Sequence, residues 1–557
     1  MIRDFAATPI DPECETCIIG SGPAGITLAL ELAARGRPSL LLESGGEKAG
    51  PAQDLSAAEI VDPAVHDDMS IAVARRFGGA SNLWGGRCMP LDAADFEPRP
   101  FAQDARWPIP FSDIAPYYET ACRYAACGRA VFEAPMPGVR PVNADFAFET
   151  IERASNKPKM HKAHGRELAA SRLVDVRLDA TVVDLEFAES GAVSAAVVVG
   201  RDGLRRRVVA ERFVIAAGGL ESTRLLLIAQ RARPDLFGGP DGPLGRYYMG
   251  HIIGEIADIF FRDDRFDDAF DLLRDGAGSY TRRRFTPSIG LQTSAGLPNI
   301  CFWPIVPPIA DPRHRSGALS AVALALSTPV LKDILLPEAI RIRHVGPHVD
   351  WPPHLRNVLS DAPRMAAFLL RFVYRRYLAA ERIPGYFIRN RSMRYGLSYH
   401  CEQSPRADSR VALSDAVDRL GAPRLHIDLR FARADAEGVV QAHERLADWL
   451  QRSNIAEVHY RQPEADNVDA VVARMSHGTH QIGTARMGAT RAQGVVDGDL
   501  RCFDAPNLYV ASSAVFCTSG QANPTLSIIA FAARLADYLA RDSERRARVR
   551  PESARAT

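Results

Sequence analysis

Apolar runs broken by glycine set the first pattern along the chain. In residues 16–43, TCIIGSGPAGITLALELAARGRPSLLLE, a short apolar strand ends at Gly20. A helical pattern then runs from about Ala24 to Arg35, and a second strand, Ser39–Leu42, ends in Glu43. The same strand–turn–helix order returns at 211–227, where Phe213–Ala216 enters the turn Gly218-Gly219. Near the C-terminus the strand Leu508–Ala511 passes through a Ser/Gly loop to Asn523, and Pro524 stands where a helix begins. That helix is apolar on all sides from Leu526 to Ala533, which predicts burial. Residues 180–185 alternate as a strand, Tyr395–Gln403 reads as another, and 409–431 reads as a hairpin around an Asp/Gly turn. An amphipathic helix is predicted over 365–379 with Arg371, Arg375 and Arg376 on a solvated face. The tail from Arg541 reads as a frayed, solvated end.

Composition narrows the class. The 557 residues are 46% hydrophobic and 24% charged with a net charge of +1, the profile of a soluble globular protein of several domains. Near-neutrality offers no overall field for nucleic acid or an anionic membrane, so no nucleic-acid partner is expected. The nine cysteines are odd in number and scattered, which suits a reducing, cytoplasmic location. Cys14 and Cys17 form a CxxC, but Cys17 runs into the apolar strand, and neither a second cysteine pair nor a nearby histidine completes a metal set. The N-terminus has no basic-plus-apolar signal. Two uncharged runs fall short of a transmembrane segment: 285–310 holds five prolines, and 316–331 is 16 residues long. The second reads as a buried helix. The competing reading is a surface-seeking segment, through Leu319, Val322, Leu324 and Leu326 followed by Leu335-Leu336.

Gly20, Gly22 and Gly25 spell GxGxxG between strand and helix, the setting in which a tight turn, close approach of a pyrophosphate and close helix–strand packing each require glycine. The helix start at Pro23-Ala24 offers N–H groups to phosphate. Glu43, 18 residues after Gly25, is placed to accept from a ribose hydroxyl. These features predict an adenine dinucleotide without separating FAD from NAD. Three further segments favour FAD. RRFGGASNLWGGRCMP (75–90) packs Gly78, Gly79, Gly85 and Gly86 around Trp84, beside a flat ligand. The Ala217-Gly218 turn and the strand through Val182 suit phosphate and adenine. The start of the C-terminal helix, Pro524-Thr525, carries a positive end where a reduced flavin holds negative charge.

With WPIPFSDIAPYYETA (107–121) and HQIGTARMG…GQANPTL, these motifs resemble the glucose-methanol-choline (GMC) flavoprotein oxidoreductases over most of 13–250 and 470–541. SSAVFCTSGQANPTL looks most like the sugar-acting branch: pyranose oxidase, the gluconate dehydrogenase flavoprotein subunit and the glycoside 3-oxidases. The resemblance implies an α/β fold: a Rossmann-like FAD-binding domain of the GMC and p-hydroxybenzoate hydroxylase type, with an inserted α+β substrate domain built on a β-sheet. The expected division is 1–250 and 470–541 for the FAD domain, 251–469 for the insert and 542–557 for the tail. It implies FAD contacts at Gly20, Gly22, Pro23, Ala24, Gly25, Glu43, Gly79, Ser81, Asn82, Trp84, Gly85, Gly86, Val182, Ala217, Gly218, Ser512, Ser513, Pro524 and Thr525. Two departures stand out. Leu83 occupies the place where pyranose oxidase carries a flavin-linked histidine, so the FAD is expected to be non-covalent. Ser512 replaces an aspartate found in many relatives. Residues 255–395 match no motif.

Motif alignment with that family puts the catalytic pair at His480 and Asn523. A hydride leaves a CH–OH carbon readily only if the hydroxyl proton leaves too, so a base of near-neutral pKa is required. His480 takes that role and Asn523 orients the hydroxyl. His477, three residues earlier, is the rival base, and the two histidines lack a third metal ligand in sequence reach, so no metal is expected. The expected activity is oxidation of a secondary hydroxyl of a sugar or glycoside to a ketone. The partners are the substrate, an electron acceptor (oxygen, a quinone or another carrier) and a small partner subunit. The alternatives are a non-redox flavin-dependent lyase or decarboxylase on the same fold, and oxidation of a non-sugar alcohol.

Overall fold

The computed structural model describes residues 1–7, 14–99, 102, 104–136, 138–327, 349–379, 383–385 and 387–549. Six parallel strands form its central sheet, in the order Ile2–Asp4, Val174–Leu178, Ser39–Leu42, Cys14–Ile19, Ala210–Ile215, Leu508–Val510. A parallel sheet is covered on both faces, which is why its inner strands are continuous apolar runs rather than alternations. Ile18, Leu41, Val214 and Val510 are fully buried. The helix Pro23–Ala34 provides the crossover between the strands Cys14–Ile19 and Ser39–Leu42. The apolar C-terminal helix, Thr525–Val549, packs against it.

A second core lies on a four-stranded antiparallel sheet ordered Ile300–Ile305, Arg394–Glu402, His251–Phe261, Ala456–Tyr460. The helix Arg433–Arg452 covers it with Ala436, Val439, Leu446 and Trp449. The hairpin expected at 409–431 forms from Arg410–Val417 and Pro423–Asp428, but it pairs in parallel with Ala58–Ile60 instead of joining that sheet. A further sheet joins Arg87–Cys88 and Ile151–Ala154 to Tyr280–Arg283 and Leu273–Arg274, so strand pairing crosses the division expected at residue 250.

The cysteines form no disulfide among the described residues, and Cys17 is buried in its strand. No described helix is long and apolar enough to cross a membrane. The apolar run 316–331 gives a helix, Gly317–Ser327, that buries Leu319, Ala323 and Leu326; Leu335-Leu336 lie outside the described residues.

Two expectations need correction. The helix placed over 365–379 runs Ala362–Val373 and ends in a wider turn, Tyr374–Leu378. Its outward face is not the arginines alone: Arg375 and Arg376 are half-buried, Arg376 donates to the Ile383 carbonyl at 2.8 Å, and Leu370 and Tyr374 face outward. The C-terminus does not fray at Arg541. The helix continues to Val549, because Arg212, fully buried on a central strand, needs counter-charges and draws them from this segment. Arg212 reaches Asp542 at 2.9 Å and Glu15 at 3.2 Å, and it donates to Ser543 Oγ at 2.6 Å. Residues 550–557 lie outside the described residues. Truncation after Arg541 is therefore expected to cost about 2 kcal/mol, since it leaves a buried guanidinium short of a partner. Thermal unfolding of the truncated chain checks this; an unchanged Tm would return the segment to a passive tail.

Candidate functional site

A cavity of about 400 Å³ opens where four neighbouring parallel strands end. Gly20, Glu43, Ala216-Ala217 and Ala511-Ser512 line it, each immediately following its strand, the position at which open α/β sheets bind ligands. Three helices also begin on its wall, at Pro23-Ala24, Gly218-Gly219 and Pro524-Thr525, so their unsatisfied N–H groups and positive dipole ends converge on one space. Of the expected cofactor residues, Gly25, Asn82 and Gly86 stand behind this lining and the others are in it. Gly25 instead packs helix against strand: an added Cβ would lie 1.9 Å from the Gly20 carbonyl oxygen. Asn82 braces its loop by donating to the carbonyls of Phe77 and Gly79 at 3.0 and 2.9 Å.

The lining fits an adenine dinucleotide. A Cβ added at Gly22 would meet no described protein atom within 4 Å, so the bare helix start faces open room of the kind a pyrophosphate fills. Glu43 is held in place by Ser21 Oγ at 2.6 Å and by the Ser21 and Gly45 N–H groups at 3.1 and 2.9 Å. Sequence reading missed Arg75, which lines the cavity, donates to Ser44 Oγ at 3.1 Å and pairs with Glu221. It opens the glycine-rich motif at 75–90, where the sequence singles out only the glycines and Trp84 around a flat ligand. Leu83 lines the cavity with a hydrocarbon side chain, and the Trp84 indole donates to the Pro158 carbonyl at 2.5 Å. The Ser512 hydroxyl accepts from the Ala514 N–H at 3.3 Å, capping the turn that follows its strand.

His480 and Asn523, 43 residues apart, share the cavity wall with 3.1 Å between His480 Nε2 and Asn523 Nδ2. Behind them stands a residue that sequence reading did not single out. His251, at the start of its strand and 229 residues from His480, places Nδ1 2.8 Å from His480 Nδ1. Its Nε2 lies 3.1 Å from the Ser519 carbonyl oxygen. A carbonyl only accepts, so His251 carries its proton on Nε2 and, while neutral, has a bare Nδ1. His480 must then donate from Nδ1, which leaves its Nε2 lone pair facing Asn523 and the cavity. The Asn523 amide in turn presents its NH₂ to that lone pair.

The surroundings hold these rings neutral. Burial, then the neighbouring His477 and His251 and the Arg87 guanidinium, push His480 well below the ordinary imidazole range. Burial and His477 do the same to His251. His477 is pushed down to about 4, chiefly by burial, and does not line the cavity; its Nε2 lies 3.3 Å from Thr479 Oγ1. His400 packs its ring 4.3 Å from that of His251, and both its nitrogens are buried without a described hydrogen-bond partner. His477 and His480, expected to lack a third metal ligand in sequence reach, meet one across the fold. His251 supplies it, and the three donor atoms lie within 4.8 Å of one another, a closeness produced by sheet pairing that linear spacing cannot reveal.

Residues 405–532 match the GMC oxidoreductase C-terminal family model. The chain is 22% identical to 2-methyl-1,2-propanediol dehydrogenase of Mycolicibacterium austroafricanum, with 95% of each chain covered. It is also 22% identical to paromamine 6'-oxidase of Streptomyces fradiae, over 95% of this chain and 91% of that one. Over 26% of its length it is 30% identical to C-glycoside 3-oxidase of Microbacterium trichothecenolyticum, covering 27% of that protein. Among solved structures, pyridoxine 4-oxidase from Mesorbium loti superposes with a TM-score of 0.53 at 18% identity, over 94% of this chain and 99% of that one.

The proton order in the histidine row has a direct readout. Histidine-selective ¹⁵N NMR at neutral pH is expected to show His480 protonated on Nδ1 and bare on Nε2, with the His480→Ala variant giving the assignment. A signal for Nε2–H, or for a doubly protonated ring, would contradict the derivation.

Proposed function

We propose that the chain is a flavin-dependent oxidoreductase of the GMC family, acting on the CH–OH group of an alcohol or sugar, and that it oxidises a secondary hydroxyl of a sugar or glycoside to the ketone, with His480 as the base. The observation that carries this reading is the hydrogen-bonded row Ser519–His251–His480–Asn523, which leaves one neutral imidazole nitrogen facing the cavity. A flavin bound in the cavity supplies the hydride acceptor. Its FAD is held without a covalent link, since Leu83 offers no nucleophile.

A substrate hydroxyl entering between Asn523 and His480 replaces their mutual contact with two. It accepts from Asn523 Nδ2 and donates to His480 Nε2. His480 then takes the hydroxyl proton as the carbon gives up hydride, and the resulting imidazolium is countered at Nδ1–H by the bare Nδ1 of His251. His251 is a positioning residue: it touches His480, not the substrate. The sugar preference rests on the C-terminal signature around Asn523 and on likeness to the two sugar-named relatives. Likeness to the diol dehydrogenase favours a second reading, a small non-sugar alcohol.

Anaerobic mixing of the oxidised holoenzyme with monosaccharides, glycosides and aliphatic diols separates the two. Flavin bleaching by glycosides supports the proposal; bleaching by diols alone shifts the substrate class, and turnover without any electron acceptor would overturn redox chemistry. His480→Ala is expected to lower kcat about 10³-fold with flavin content unchanged. Because the His480 pKa is lowered, the neutral base persists as pH falls, so the acid limb of kcat/KM should lie below the ordinary imidazole value of 6.5. A limb above it would contradict the assignment. Acid precipitation should release the flavin into the supernatant, and colour kept in the pellet would show a covalent link.

A further inference from the structure

The most unusual surface of the molecule lies far in sequence from the catalytic row. Nine of the 23 exposed large hydrophobic side chains among the described residues fall within positions 351–378. Leu359, Leu370 and Leu378 are 79%, 75% and 72% exposed, well beyond the partial exposure of scattered surface leucines. They belong to the helices Trp351–Ser360 and Ala362–Val373 and the turn Tyr374–Leu378. Trp351, Leu355 and Leu359 recur every four residues, which places them in one outward row. Burial of the protein's own core does not explain this row. The second helix already turns Met365 and Phe368 inward against a small core containing Leu319 and Ala323.

Charge points to what covers the face. Arg364 and Arg371, both exposed, lie seven residues apart on one flank of the second helix, whereas Arg375, in the turn that follows, is half-buried and near Asp271. No acidic residue occurs from 362 to 379, and Asp361, just before, is buried and accepts from the Gly317 N–H at 2.9 Å. Projecting leucines bordered by tyrosine, tryptophan and the exposed Arg364 and Arg371 match a helix lying in a membrane interface, where apolar side chains enter the acyl boundary and cations meet phosphate. We propose that this two-helix face docks the enzyme on a bilayer surface containing anionic phospholipid. The surface-seeking property considered for 316–331 is thereby assigned to the neighbouring helices, since Gly317–Ser327 buries its own leucines.

Cosedimentation of the holoenzyme with phosphatidylcholine vesicles, alone or with about 30% phosphatidylglycerol, tests the proposal. Binding is expected to the anionic vesicles, about tenfold weaker to neutral ones, and weakened by salt. Leu370→Asp is expected to abolish it while solution turnover is unchanged, which excludes misfolding. The milder pair Arg364→Gln and Arg371→Gln should weaken binding to anionic vesicles only. Failure to bind anionic vesicles overturns the proposal, as does binding that survives Leu370→Asp. Light scattering that shows a dimer dispersed by Leu370→Asp would instead assign the face to a second copy of the chain.

Discussion

The carbonyl oxygen of Ser519 can accept a hydrogen bond but never donate one, and the proton order of the site follows from that asymmetry. It fixes the tautomer of His251, which fixes that of His480, which leaves a lone pair beside Asn523. Protonating any ring in this row would place a charge among buried imidazoles and near Arg87, whose guanidinium is tied to Glu152. Burial and geometry therefore act together: one keeps the rings neutral and the other decides which nitrogen is bare. The row also spans the architecture, because His251 begins a strand of the antiparallel sheet while Asn523 stands two residues before the C-terminal helix.

The cavity answers a different constraint. A parallel sheet sends its strand ends to one edge, and the helices that follow begin there with bare N–H groups. That arrangement favours a ligand with negative charge along its length. Glu43 and the Arg75–Glu221 pair add polar contacts from other loops of the same wall. The histidine row thus stands beside helix starts whose backbone N–H groups favour an anionic ligand.

Much of this was legible because it is local. The first strand–turn–helix, its glycines and Glu43 are contiguous in sequence, and the position of Pro524 announced the helix that begins at Thr525. His251 was not legible: its role comes from pairing between distant segments, and nothing in the residues around it distinguishes it from a strand histidine. Arg75 opens the glycine-rich motif at 75–90, but its pairing with Glu221, 146 residues away, cannot be read there. The hairpin at 409–431 was read correctly as a hairpin, but its partner Ala58–Ile60 lies far away in the chain. The helical course beyond Arg541 is not legible in the tail's own residues, because its contacts, Asp542 and Ser543 with Arg212, reach a distant strand. The arginines of 371–376 drew attention to the wrong feature, since a charge stripe says nothing about what the remaining faces of its helix meet.

The most direct test is a crystal structure of the flavin-loaded protein with a bound, non-reacting sugar or glycoside analogue. The account predicts one ring hydroxyl oxygen within hydrogen-bond distance of both His480 Nε2 and Asn523 Nδ2, with the His480–His251 contact intact. A hydroxyl seated on His477 or on neither residue, or a His480 ring turned away from His251, would contradict it.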